Sequence, residues 1–186
     1  MNENRTPRDR PAAPTLLALS WMTLAAAMGG CSTSTEAERR APSRDPYDIM
    51  GRWTGVRRAA HDGSEAPMTF RATPILDGAG WIEQLEVHSG SGVYRGFSVI
   101  VRDPARDLWV RQYVNATRGR FVRLEGEVTA QRSVFRSVSP TRTRESRLVS
   151  ELLAPDRLRR TQSVSEDGGK TWRVLWTDEL LRSLSP

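Results

Sequence analysis

From Tyr47 onward, apolar and polar residues alternate with a period of two, and a turn signal interrupts the alternation roughly every dozen residues. That rhythm suits strands whose side chains point alternately to two faces, and it leaves no convincing interior helix. The interruptions include His61-Asp62-Gly63-Ser64, Asp77-Gly78-Ala79-Gly80, Ser89-Gly90-Ser91-Gly92, Asp103-Pro104-Ala105-Arg106-Asp107, Arg118-Gly119 and Asp167-Gly168-Gly169. All are rich in residues that reach φ > 0 or bond their own backbone. Between them the pattern predicts strands over 52–58, 68–76, 81–87, 94–101, 108–115, 121–128, 133–138, 147–153, 158–165 and 172–177. Pro74 lacks an N–H and marks a bulge, an edge or a strand end. Asp178 to Arg182 reads as one helical turn after the last strand.

About ten sequential antiparallel strands must dispose of two sheet edges, and closure disposes of both. The expected fold is therefore all-β, a mostly antiparallel barrel of about ten strands over residues 47–186. A barrel of that size has room for one small ligand. The full chain of 186 residues is long enough for one domain with a real core, and its six Trp supply large packing units.

The N-terminus reads as an address. Arg5, Arg8 and Arg10 precede an apolar run over 15–28, which is short for a bilayer-spanning helix and suits a secretory signal. The run ends in Met28-Gly29-Gly30-Cys31, which resembles a bacterial lipobox, and Cys31 is the only cysteine in the chain. That resemblance implies a signal peptide over 1–30 and a palmitate-type lipid on Cys31, which becomes the mature N-terminus. Ser32 in the next position points to the outer membrane, facing the periplasm. Residues 31–46 are polar and aperiodic and read as a flexible tether. A lone cysteine excludes an internal disulfide and a Cys-based zinc site. The two histidines, His61 and His88, offer no metal pair by spacing.

The formal charge of +6 permits weak attraction to anionic surfaces. The arginines, however, are scattered among acids with no aromatic–basic module, so nucleic acid is not an expected partner. Ser165, Asp167, Gly169, Thr171 and Trp172 match the Asp-box pattern of sialidase-type propeller blades. A propeller needs several blades, and this chain carries one copy. The plainer reading is a hairpin in which Asp167 bonds local N–H groups, Gly168 or Gly169 takes φ > 0, and Trp172 packs on its neighbour.

Gly51-Arg52-Trp53 resembles the G-x-W motif that opens the first strand of lipocalins, in the calycin superfamily. The resemblance implies that Trp53 plugs the closed end of the barrel, with a basic side chain stacked on it; Arg182 and Arg173 both suit that role by position. The closing Asp167-to-Trp172 hairpin and the strand from Trp109 to Asn115 are similar to lipocalin-like bacterial domains of unknown function, near the nitrobindin-type ten-stranded barrels. The resemblance spans about Tyr47 to Leu184. Nitrobindin-type barrels hold haem through a late histidine, and no histidine follows His88 here. No haem, metal or other cofactor is therefore expected.

Catalytic signals are sparse. Glu125 and Glu127 share a strand face, as do Trp81 and Glu83, but cross-strand ion pairs explain such carboxylates more simply than acid–base work. No nucleophile elbow and no phosphate-cradling glycine loop occurs. The candidate ligand-binding residues are Trp109, Arg111, Tyr113 and Asn115, which share one face of one strand. Pointing inward, they would offer stacking surface, a fixed cation and an amide to a small amphipathic or anionic ligand. The opposite face, Leu108, Val110 and Val114, has the stronger claim on the interior by hydrophobicity alone. Three functions follow. The leading one is a membrane-anchored, non-enzymatic barrel binding a small hydrophobic or amphipathic molecule in the cell envelope. The second is an envelope interaction protein with a packed barrel and an Arg-rich surface for anionic lipid or glycan. The third is an enzyme using Glu83, Glu125 or Glu127.

Overall fold

The computed structural model describes residues 48–138 and 143–183. The segments expected to be a signal peptide (1–30) and a tether (31–46), with Cys31, lie outside the described residues. The barrel strands are β1 (Gly51–Ala59), β2 (Glu65–Ile75), β3 (Gly80–Ser89), β4 (Gly92–Asp103), β5 (Leu108–Asn115), β6 (Arg120–Val128), β7 (Arg132–Ser137), β8 (Glu145–Ala154), β9 (Arg157–Ser165) and β10 (Arg173–Arg182). Each strand pairs antiparallel with its sequence neighbours, and β1 pairs with both β2 and β10. The sheet thus closes on itself and leaves no free edge. The all-β, ten-stranded barrel expected from the alternation is the observed fold.

Two local expectations need correction or refinement. Asp178 to Arg182 is not a helical turn; it is the second half of β10, in register with Arg57 to Trp53 of β1. Asp178, Leu180 and Arg182 alternate to the inner side there, and pairing across the closure supplies the hydrogen bonds that a helix would otherwise make. Pro74 does lie within a strand, opposite Trp81 of β3. On its other side the pairing with β1 stops at Ala72 opposite Gly51, so the missing N–H costs no ladder bond.

The inner face is strongly partitioned along the barrel axis. Towards the end where β1 begins, Trp53, Phe70, Trp81, Ile100, Phe135, Leu158 and Leu180 are each 2% exposed or less. Trp53 closes this end. Its indole Nε1–H donates to the Ile49 carbonyl at 2.8 Å, and the Arg182 guanidinium lies 4.4 Å from its ring centroid. Arg182 in turn donates to the carbonyls of Asp48 and Met50, both at 2.6 Å, and of Pro155 at 2.8 Å. One cation therefore stacks on the aromatic plug and ties the entering chain to the β8–β9 turn. Of the two arginines suited by position, Arg182 takes the role. Gly51 makes the approach with φ of 117°, a backbone region that favours glycine.

Candidate functional site

Glu83 on β3 divides the lumen. Its neighbour on the same face, Trp81, donates an indole N–H to Glu83 Oε1 at 3.1 Å. Arg111 Nη2 on β5 reaches Glu83 Oε2 at 2.7 Å. From the opposite wall, Arg160 Nη2 on β9 reaches the same oxygen at 3.3 Å. Glu83, Arg111 and Arg160 are all 2% exposed or less. Burial pushes the Glu83 carboxyl up, but Arg111, Arg160 and the Trp81 N–H outweigh it and hold the group below its ordinary value. The carboxylate is ionised at neutral pH, and it carries two cations. Aromatic faces line the rest of this layer: Arg160 sits 4.3 Å from the Phe70 centroid, and Trp109 packs on Trp81 at 5.0 Å. This cross-barrel bridge separates the packed half from an open half.

Above the bridge lies a cavity of about 240 Å³. Leu85, Val122, Leu124 and Leu148 form its apolar walls, Arg111 and Arg160 its floor, and Arg57, Tyr94, Tyr113, Gln162 and Trp176 its upper part. Arg57 is held rigidly: its Nε and Nη2 donate to the two oxygens of Asp178 at 2.7 and 3.0 Å, and Asp178 is fully buried. The guanidinium plane of Arg57 lies 3.7 Å from the Trp176 ring centroid. That is a bidentate pair with a stacked aromatic, the geometry at which arginine is least replaceable by lysine. Tyr94 and Tyr113 bond each other through their hydroxyls. Burial, and then the bond to Tyr94, pushes the Tyr113 phenol well up, so it remains neutral and protonated.

These placements settle the orientation of β5. Arg111 sits opposite Ile100, which is wholly buried, so Trp109, Arg111 and Tyr113 face the lumen. The expectation that Leu108, Val110 and Val114 take the interior is overturned. Those residues face outward, where Val110 pairs with Val101 and Val114 lies between Phe97 and Phe121 in cross-strand rows. The physical reason is the partner across the lumen: a guanidinium is admitted to the interior because Glu83 is already there. Asn115 does not join the site; its side-chain oxygen accepts from the Arg118 N–H in the following turn.

The other sequence candidates scatter. Glu125 is on the outer surface, bound by Arg106 and Arg123, whose hydrogen bonds hold its carboxyl below the ordinary value. Glu127 is exposed, so the three candidate catalytic carboxylates do not converge. Asp167 accepts from Ser165 Oγ, from the N–H groups of Lys170 and Thr171, and from Thr171 Oγ1. Those backbone and hydroxyl bonds hold its carboxyl far below the ordinary range. Gly168 and Gly169 both take positive φ, 70° and 85°. Trp172 donates to the Gly169 carbonyl at 3.0 Å, and the Arg147 guanidinium lies 4.2 Å from its ring. Both carboxylate oxygens of Asp167 are thus used within its own hairpin.

Sequence reasoning did not single out Arg57, Tyr94, Arg160, Gln162, Trp176 or Asp178. A usable signal existed for Arg160 and Gln162, since Leu158-x-Arg160-x-Gln162 puts both on the face of a buried leucine. Among the described residues, no three His, Cys, Asp or Glu side chains come together as a metal site. No known protein family matches the chain, and no curated protein matches it. Among solved structures, the chain is similar to the S-type phycobiliprotein lyase CPES from Guillardia theta. The identity is 12% and the TM-score 0.48, over 75% of this chain and 90% of that one.

Proposed function

We propose that this chain is a lipid-anchored barrel of the bacterial cell envelope that binds a small hydrophobic or amphipathic molecule without transforming it. The observation that carries this reading is the cavity of about 240 Å³ above the Glu83 bridge, apolar on its walls and fixed in shape by Arg57, Asp178 and Trp176. Its volume falls just below the range of about 300–1,000 Å³ for drug-sized sites, which argues for a small molecule and against a two-chain lipid. The carboxylates nearest the cavity, Glu83 and Asp178, are both committed to guanidiniums, so neither is a free general base. Calorimetric titration with octanol and octanoate tests the reading. Saturable binding of at least one of them with one site per chain is expected, and Val122→Trp, which fills the cavity, should remove it. Failure of both probes to bind would refute the function.

The anchor rests on the basic leader, the apolar run and Gly29-Gly30-Cys31 in that order. Two or more acyl chains hold a protein on a bilayer durably where one does not. Cys31→Ala should therefore move the protein from the outer-membrane fraction to the soluble fraction in cells of a bacterial host. Identical fractionation of the two forms would contradict lipidation.

A further inference from the structure

We infer that the bound molecule is a monoanion, a small carboxylic acid whose head lies against Arg160 at the cavity floor and whose apolar part fills the space below Tyr94 and Trp176. The inference rests on the reading of the barrel as a binding protein. Its first support is the charge count of the interior. Three guanidiniums, Arg57, Arg111 and Arg160, line the cavity and are paired with two carboxylates, Glu83 and Asp178, while Arg182 is spent at the closed end, so among the described residues of the cavity one positive charge is left over. Asp178 stands beside Arg160 in register, yet both of its oxygens accept from Arg57. The Tyr113 phenol cannot supply the missing anion, because burial keeps it protonated.

The second support is the bonding of Arg160 itself. It is 1% exposed and makes one long contact, 3.3 Å, to a carboxylate oxygen that Arg111 already holds at 2.7 Å. Its Nε and Nη1 have no hydrogen-bond acceptor among the described residues. Buried donors of a charged group are rarely left so, and a carboxylate on the Nε/Nη2 edge would give the idle Nε a charge-assisted bond and Nη2 a second acceptor. A carboxylate matches the planar Nε/Nη edge of a guanidinium in a way that an alcohol or amine does not. A second anionic group would find no further uncompensated charge inside, so a dianion is disfavoured.

The test compares octanoate, octanol and octylamine by calorimetry on the wild type and on Arg160→Met, in one low-salt buffer at neutral pH. Octanoate should bind on the order of 10- to 100-fold more tightly than octanol to the wild type, the range expected of charge-assisted hydrogen bonds. Octylamine should bind most weakly. Arg160→Met leaves the Glu83–Arg111 pair balanced and keeps the side-chain volume close, so it should fold and lose the preference for the acid over the alcohol. Thermal unfolding of the same samples confirms that each is folded. Equal affinities for octanoate and octanol in the wild type would overturn the acid assignment while leaving the binding function intact. A preference for octanoate that survives in folded Arg160→Met would overturn the role of Arg160. Failure of all three probes would instead refute the underlying binding function.

Discussion

Glu83→Gln is expected to cost about 3–5 kcal/mol of stability, because it strands two buried guanidiniums without their counter-charge. Against a typical total of about 5–15 kcal/mol, that brings the domain close to unfolding at room temperature. Arg160→Met removes one of the two cations and leaves a neutral pair, so it should change stability by less than about 1 kcal/mol. The contrast separates charge balance from packing: both changes alter the same layer, but only one leaves net charge in the interior. Urea denaturation of the three proteins decides it. Comparable losses in both variants would mean that the layer is held by shape and not by charge. The acid side follows from the same linkage. The Glu83 carboxyl is held below its unfolded value of 4.5, so its contribution is complete above that pH. It is lost progressively as pH falls through the lower folded value.

Trp53→Ala is the second large effect, expected at about 3–5 kcal/mol. The indole is 0% exposed, its N–H satisfies the Ile49 carbonyl, and its ring carries the Arg182 guanidinium. Truncation therefore leaves a cavity at the closed end and unmoors the cation that ties the entering chain to the β8–β9 turn. A loss under about 1 kcal/mol in urea denaturation would show that the plug contributes no more than a surface residue. Arg173 starts β10 at the opposite end of the barrel, so Arg173→Ala is the matched control and should leave stability nearly unchanged.

The architecture was legible because each strand announces itself locally. Alternation marks the strands, and Asp, Gly and Ser clusters mark the turns. Asp178 to Arg182 reads as a helical turn in sequence because Leu180 and Leu181 are adjacent and flanked by charges, which suits a helical turn as well as a strand. Only pairing with β1, at the far end of the sequence, decides between them. The inward face of β5 was illegible for a related reason. Hydrophobicity ranks Val110 above Arg111 for the interior, and what reverses the ranking is a glutamate on another strand. Glu83 and Arg160, which complete the cluster, are 77 residues apart. No local pattern links them, and the charge balance of the lumen exists only once the barrel has closed. Trp53 shows the opposite case in part: the resemblance carried by Gly51-Arg52-Trp53 implies a basic side chain stacked on the indole, but it leaves Arg182 and Arg173 open, and closure of the barrel selects Arg182.

Native mass spectrometry of the protein purified from its host tests the binding function most directly, with the Val122→Trp variant prepared alongside. The wild type is expected to carry one small molecule of fixed mass, recovered as an acid on denaturation, and the cavity-filled variant is expected to carry none. A wild type and a variant that both fly at the mass of the mature protein with no bound molecule would contradict the account.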